Sequence, residues 1–355
     1  MNEVKTEVVI VGAGLSGLTA AYQLDKAGVG YQIIEARDTI GGRINTLGFD
    51  QGKPVEMGAT WLGAKHKAMT SLMGELGVGY FEQVIGDTAI YEAISTSPHY
   101  LARLPHNPEP SLRVQGGTMS IIDKLYQGID ADCILLGEQV RSISYAGDGV
   151  VIKTSIRSLV ARSVISTVPP NLLVNTIDFE PKLPEKLTQL AKQTHTWMGE
   201  SIKIALVFEQ PFWRSPEYSG TIISNVGPIP EMYDHSNVED DFYALMGFLN
   251  GSYASLTKEQ RKAVVLKQLR KYFGSHVDTC IAYHEVVWRA EEYTFYPYEQ
   301  SIIPHQNQGH KMYQQSYFDG HLVIAGTETD PQFPGYMDGA ISAGIRASNQ
   351  VMNLD

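Results

Sequence analysis

A chain of 355 residues, 43% apolar and 19% charged, carries enough apolar side chains for two domains with their own cores and has the balance of an ordinary soluble globular protein. Its formal net charge of −11 argues against nucleic acid or an anionic membrane as a partner and is mildly suited to cationic substrates. Cys133 and Cys280, the two cysteines, lie in strand-like runs without metal or CxxC spacing, which excludes a disulfide framework and fits a reducing compartment.

The amino terminus enters a strand without a signal-peptide pattern, and no apolar run reaches bilayer length. With the carboxyl terminus stopping just after a helix, the expectation is a cytoplasmic protein with no membrane partner. The ten histidines show no metal-ligand spacing, so no metal is expected; His66, His305 and His310 read as surface or packing residues.

Residues 6–11 read as a buried strand, 15–27 as an apolar helix and 31–35 as a second strand. Between the first two lies Gly12-Ala13-Gly14-Leu15-Ser16-Gly17. Gly12 permits the tight turn, Gly14 lets the backbone approach a pyrophosphate, and Gly17 lets the helix pack on the strand. Glu35 follows 18 residues after Gly17, where it can accept hydrogen bonds from a ribose. Strand, glycines, helix, strand and acid in this order point to a dinucleotide site. Gly41-Gly42-Arg43 then offers a second backbone loop and a charge-assisted contact to the diphosphate; the bland reading is a surface turn with a solvated arginine.

Lys67–Leu76 reads as a helix stopped by Gly77, and residues 95–110, with four prolines, as loop-rich. Strands are expected at Val140–Tyr145, Val150–Thr154 and 164–168, the last ended by Pro169-Pro170. Residues 201–208 alternate as a strand in which Ile202, Ile204, Leu206 and Phe208 share one face and Lys203, Ala205 and Val207 the other. On pattern alone Lys203 is a solvated lysine of a half-exposed strand. Thr257 and Gln260 form a capping box for a helix through Phe273, closed by Gly274. A short buried strand at 322–325 and a helix at 338–352 complete the chain.

Glu35-Ala36-Arg37 through Gly41-Gly42-Arg43 resembles the flavin amine oxidase superfamily, and further segments resemble the flavin-containing monoamine oxidases over nearly the whole chain. Glu56-Met57-Gly58-Ala59-Thr60-Trp61 is similar to the loop that faces the flavin ring, and Val114-Gln115-Gly116-Gly117 to a second glycine pair. Residues 161–170 resemble the strand closing the middle flavin-binding segment. Ile202-Lys203-Ile204 with Glu209-Gln210-Pro211-Phe212-Trp213-Arg214 resembles the strand of the family's active-site lysine. Gly326-Thr327-Glu328-Thr329 and Gly335-Tyr336-Met337-Asp338-Gly339-Ala340 resemble the carboxyl-terminal flavin motif.

The resemblance implies an α/β fold: an FAD-binding Rossmann-like domain of the glutathione-reductase-like amine oxidase type, interleaved with a smaller α+β substrate domain. Residues 1–79, 115–192 and 291–355 would form the first, and 80–114 with 193–290 the second. It implies cofactor contacts from Gly12, Gly14, Ser16, Gly17 and Glu35, then Ala36, Arg37, Gly42 and Arg43. Ala59, Thr60, Trp61, Val140, Thr327, Glu328 and Met337 complete that set.

For catalysis the resemblance implies Lys203 holding a water against flavin N5, Trp288 beside the ring, and an aromatic cage of Tyr336 with Tyr298 or, as runner-up, Tyr296. The bland reading makes Tyr293, Phe295, Tyr296 and Tyr298 ordinary core aromatics. The implied reaction is FAD-dependent oxidation of a small-molecule amine to an imine and aldehyde, with O2 reduced to hydrogen peroxide. An amino-acid oxidase or desaturase of the same superfamily, or a flavin-binding protein without amine turnover, are the alternatives. Gly58 through Gly63 offers no arginine for a substrate carboxylate, which counts against an amino-acid oxidase.

Two departures stand out. Only 54 residues separate Trp61 from Gly116, too few for the long helical insertion of the membrane-bound enzymes, so the cap is shortened. Counted from Trp288, the position where animal enzymes bond flavin through cysteine is Pro297, so FAD is expected to be held non-covalently. Relatives are often dimers, and a homodimer is the expectation here.

Overall fold

The computed structural model describes residues 4–48 and 52–354. Two large sheets dominate. In the first, of nine strands, seven run in the order Ile134–Leu135, Tyr31–Ile34, Val4–Val11, Ser158–Ser166, Val150–Thr154, Val140–Tyr145 and Asp178–Glu180, with Leu322–Ile324 and its partner Ser316–Tyr317 off this path. Its centre is parallel: Val4–Val11 lies between Tyr31–Ile34 and Ser158–Ser166. One edge of the long Ser158–Ser166 strand serves two partners. Its first half pairs antiparallel with Val150–Thr154 and its last three residues pair parallel with Leu322–Ile324.

Helices Leu15–Lys26 and Met337–Met352 cover one face of this sheet. They approach closely because Gly344 has no side chain; a Cβ there would lie 2.5 Å from the Ser16 carbonyl oxygen. The core beneath is the apolar run the sequence supplies: Val8, Ile10, Leu18, Ile33, Ile165, Val323 and Ile341 are fully buried.

The second sheet has seven strands in the order Cys280–Val287, Ile202–Phe208, Tyr243–Leu249, Glu231–Asp234, Ile222–Ser224, Thr88–Glu92 and Tyr100–Arg103. Ile202–Phe208 is buried on both faces. Ile202, Ile204, Leu206 and Phe208 pack toward helix Lys258–Phe273, while Ala205 and Val207 pack against Val55 and Met57. Alternation predicted this division correctly, although it did not show that the second face is covered as well.

Local signals translate directly. Gly77 closes Lys67–Leu76 in the left-handed region at φ 68°. Thr257 and Gln260 form both hydrogen bonds of the capping box that starts Lys258–Phe273. Residues 95–110, expected to be loop-rich, contain an unanticipated strand at Tyr100–Arg103; Pro98 and Pro105 flank it, and it lies at a sheet edge. Among the described residues, no helix is long and apolar enough to cross a membrane.

Candidate active site

A cavity of about 660 Å³ runs from the Gly12–Gly14 turn, past Glu35 and Arg37, to Lys203, Trp288 and Tyr336 at its far end. The near end is built for an anion. Helix Leu15–Lys26 begins at Gly14 without a side-chain cap, which leaves its first-turn amides for a ligand. A Cβ on Gly12 would meet the Thr167 hydroxyl at 2.5 Å, and one on Gly17 would lie 2.0 Å from the Gly12 carbonyl oxygen. Gly17 does not reach the cavity; it allows the helix to sit against the turn.

Both Glu35 oxygens accept backbone N–H bonds, from Ala13 at 2.7 Å and Arg37 at 2.9 Å, which fixes the carboxylate. Each oxygen keeps a lone pair for a ribose hydroxyl. Ala36, Gly42 and Val140 line the same stretch, as does Ser16, whose hydroxyl itself donates to the Ala325 carbonyl. Arg37 lies over the Tyr293 ring, 5.7 Å from its centroid, and donates to Thr294 Oγ1 at 2.9 Å.

Arg43 and Glu328 were both expected on the cofactor. The structure instead pairs them. Arg43 donates to both oxygens of the fully buried Glu328, at 2.5 and 3.0 Å, and to the Trp197 carbonyl at 3.0 Å. Arg43 lines the cavity with N–H donors to spare, whereas Glu328 stands behind it and also accepts from the Trp197 amide at 3.1 Å.

At the far end, Ala59, Thr60 and Trp61 line the cavity together with Thr327, Met337 and Tyr336. Trp288 is buried there, its indole N–H donating to the Met57 carbonyl at 3.1 Å. Lys203 is fully buried. Its Nζ donates to the Gly58 carbonyl at 2.5 Å and to Thr60 Oγ1, and Thr60 passes its own proton to the same carbonyl at 3.2 Å. A neutral lysine would thus have both N–H bonds satisfied and its lone pair free; a protonated one would have a third N–H to direct into the cavity.

Burial pulls the Lys203 ammonium down to about 7, with Arg113 pulling the same way and Glu56 opposing. The faces of Trp61 and Phe248, 5.5 and 5.8 Å from Nζ, give the charge some compensation. Behind the loop, burial pushes the Glu56 carboxyl up, against hydrogen bonds from Thr118 and Thr46. Burial also pulls Arg113 to about 10 and His235 well below its ordinary value.

Tyr298 is not brought to the cavity. Its hydroxyl accepts from the Thr196 amide at 2.7 Å, and its ring packs edge-on against Phe295. Tyr296 is outside as well, partly exposed, with its carbonyl bonded to Asn171. Tyr293 and Thr294 line the cavity, but Phe295 then turns into the core against Gly199 and carries the rest of the segment away. A count from Trp288 cannot foresee that turn. Of the rings packed on Tyr336, Trp197 lines the cavity, 5.9 Å away and within 28° of parallel, while His66, 5.4 Å away, does not. No spacing or motif marks Trp197; the Arg43–Glu328 pair, 285 residues apart, holds its backbone, and His305 stacks on its ring at 4.4 Å.

Among the described residues lining the cavity there is no cysteine and no histidine. With a glycine turn and free helix amides at one end and an apolar slot at the other, the residues present fit an elongated dinucleotide. The sequence matches the flavin containing amine oxidoreductase family over residues 15–131 and 95–352. The chain belongs to this family. It is an FAD-dependent amine oxidase, an oxidoreductase.

Among family relatives, a probable flavin-containing monoamine oxidase A of Dictyostelium discoideum is 26% identical, over 97% of each chain. A putative flavin-containing monoamine oxidase of Mycobacterium tuberculosis is 27% identical, over 98% of this chain and 97% of that one. The first alignment runs to 449 positions against 355 residues, so the relative has long stretches with no counterpart here. In fold, a solved putrescine oxidase matches with a TM-score of 0.85 at 24% identity over 99% of both chains. Cyclohexylamine oxidase from Brevibacterium oxydans matches at 0.84 and 21%, over 98% of both.

Proposed function

We propose that this amine oxidase acts on a neutral alkyl amine whose α-carbon enters the far end of the cavity, between Lys203 and Tyr336. The observation that carries the reading is Lys203: a lysine wholly buried in a strand, bonded only to acceptors of the flavin-facing loop, at the far end of a cofactor-sized cavity. When bound, FAD supplies the acceptor for the two electrons of the C–H bond next to nitrogen and returns them to O2, giving hydrogen peroxide.

The chain's own residues divide the remaining work. The turn at Gly12–Gly14, Glu35 and Arg43 bind the dinucleotide; Glu328 positions Arg43. Tyr336 and Trp197 present π-faces to the amine. The apolar walls favour the uncharged amine by withholding water from its ammonium form. Lys203 holds or releases a proton near neutral pH at Nζ, relayed against Thr60 Oγ1 and the Gly58 carbonyl.

An amino-acid oxidase needs a cationic partner for the substrate carboxylate. The arginines lining the cavity, Arg37 and Arg43, are engaged with Thr294 and Glu291 and with Glu328, which argues against it. The strands of the nine-stranded sheet fall within residues 1–79, 115–192 and 291–355 and those of the seven-stranded sheet within 80–114 and 193–290. That partition supports assigning FAD to the first body and the substrate to the second. A cytoplasmic location accords with two free thiols, Cys133 and Cys280.

The test is a peroxide-coupled assay of the FAD-loaded protein over primary, secondary and polyamines. Turnover of at least one class is expected. No turnover with any amine, in protein that retains FAD, refutes the proposal.

A further inference from the structure

Charged groups are sealed on both sides of the flavin-facing loop: Lys203 in front of it, Glu56 within it and Arg113 behind it, each no more than 4% exposed. A buried cation is ordinarily held by a carboxylate, because an unpaired one carries its full desolvation cost. Arg113 is not held that way. Its guanidinium donates to the Ser236 carbonyl at 2.8 Å and lies over the Phe81 ring at 5.0 Å, and among the described residues no carboxylate is within ion-pair distance of it. The neighbours are committed elsewhere. Asp234 takes Arg214 at 2.8 Å and the Trp213 indole N–H at 2.9 Å. His235 is neutral: its Nε2 accepts from the Glu56 amide at 3.0 Å and faces an Arg113 N–H at 3.4 Å, so the single ring proton belongs on Nδ1.

Strand register fixes where Arg113 stands. It pairs opposite both Trp61 and Phe81 in a small three-stranded sheet, so the three side chains share one face. The Lys203 Nζ lies 5.5 Å from the Trp61 ring centre. With cross-strand neighbours about 5 Å apart, the two cations are roughly 10 Å from each other across Trp61. The loop carrying Glu56 joins them: its Glu56 amide reaches His235 on the Arg113 side, and its Gly58 carbonyl accepts from Nζ. One more carboxylate shares the Lys203 face. Glu231 stands opposite Phe248, which stands opposite Lys203, but it lines the cavity, where solvent screens it. With Lys203 neutral, the charges of Glu56 and Arg113 cancel. With Lys203 protonated, the dry cluster holds two cations against one carboxylate.

We propose that Arg113 is a positioning residue of the oxidase: from behind the loop it balances the Glu56 charge, denies Lys203 a counter-ion and keeps Nζ ready to shed its proton at the end of the cavity. This rests on the amine oxidase reading and adds to it a residue that does not line the cavity. At roughly 10 Å and an effective dielectric of about 20, removing one of the two cations moves the titration of the other by about one pH unit. The signs are opposite for the two partners. Loss of the Arg113 charge leaves Glu56 free to stabilise the ammonium and raises the midpoint, whereas loss of the Glu56 charge lowers it. Burial alone would act on Lys203 in either background, so only a charge effect produces this pair of opposite shifts.

The experiment follows the Cε resonance of Lys203 by NMR in FAD-loaded protein carrying isotope-labelled lysine, titrated from about pH 5 to 10; its absence in Lys203→Met assigns the signal. Arg113→Gln keeps a donor for the Ser236 carbonyl but removes the charge, and is expected to raise the midpoint by about one pH unit. Arg113→Lys keeps the charge and is expected to leave the midpoint within about 0.3 of the native one. Glu56→Gln is expected to lower it by about one unit. The inflection in the pH profile of flavin reoxidation by O2 moves with the midpoint in each variant. A midpoint unmoved by Arg113→Gln overturns the proposal. So does an Arg113→Lys midpoint displaced as far as that of Arg113→Gln, which would make the packing of the guanidinium, not its charge, the cause. Should Arg113→Gln fail to fold, Arg113→Lys and Glu56→Gln decide the matter, and a Glu56→Gln midpoint that does not fall refutes the charge balance. The NMR titration needs no turnover, so it stands apart from the amine assay, whose failure with every amine refutes the amine oxidase reading itself.

Discussion

Lys203→Met separates the cost of burying this lysine from its use. The ammonium's ordinary value is 10.5 and its value in the folded chain is about 7, so holding the charged form costs roughly 5 kcal/mol below pH 7. Methionine removes that cost but forfeits two hydrogen bonds, to Gly58 and Thr60, together worth roughly 2–3 kcal/mol. The variant is therefore expected to be more stable than the native protein by roughly 2 kcal/mol at pH 6. Between about pH 7 and 10.5 the unfolded chain keeps a proton that the folded chain has shed, so native stability rises with pH across that window. The variant lacks that rise; the gap shrinks by up to about 1.4 kcal/mol per pH unit and changes sign at about pH 8.5. Urea unfolding of both proteins from pH 6 to 10, at one saturating FAD concentration, reads the effect. A gap that does not vary with pH refutes the depressed titration. Stopped-flow reoxidation by O2 tests its use: the native rate should inflect near pH 7, and the variant should be slower by at least about tenfold, with no inflection. Unchanged rates in both half-reactions would reduce Lys203 to a strand residue.

Acid precipitation is expected to release all of the flavin as intact FAD into the supernatant, because no cysteine or histidine lines the cavity among the described residues; colour in the washed pellet contradicts this. Gly17→Ala places a Cβ 2.0 Å from the Gly12 carbonyl oxygen, so the helix must move off the turn. The expected cost is about 3 kcal/mol or more, with loss of FAD retention on gel filtration, and full retention would refute the close-packing role. Glu328→Gln leaves Arg43 without its counter-charge and is expected to cost about 3 kcal/mol in unfolding free energy and to weaken FAD binding measured by fluorescence titration. Unaltered stability and affinity would show that the pair positions nothing.

Much of the dinucleotide end was legible because its constraints are local. A turn that needs Gly12, a helix that must touch the strand at Gly17, and an acid at Glu35 are demands of backbone geometry, and each leaves a residue type at a fixed spacing. The capping box at Thr257 and the stop at Gly77 belong to the same class. The substrate end was less legible because its constraints are long-range. Trp197 is held by Arg43 and Glu328, Tyr298 is displaced by the burial of Phe295, and Glu231 reaches the cavity only through the register of three strands. The Tyr100–Arg103 strand escaped notice because an edge strand needs hydrogen bonds on one side only, and the prolines around it stand outside its span.

Behind the flavin-facing loop the fold retains a cluster of buried titratable groups. Lys203, Glu56, Arg113 and His235 are each nearly or wholly buried, and apolar side chains of equal volume would cost less. Their hydrogen bonds converge on one loop. Glu56 accepts from the Thr118 amide and the Thr46 hydroxyl, Thr118 Oγ1 donates to the Ala59 carbonyl at 2.9 Å, and His235 Nε2 accepts from the Glu56 amide at 3.0 Å. Residues 56–59 are thereby pinned from behind, and the acceptors in front, Gly58 O and Thr60 Oγ1, are presented to Lys203. A loop pinned this way cannot follow a lysine that changes charge, so the energy difference between the two forms of Nζ stays small instead of being relaxed away. An apolar replacement at Glu56 would strip the Thr118 amide and the Thr46 hydroxyl of their acceptor and let the loop move, and the rigidity so lost is what a proton-exchanging Lys203 requires.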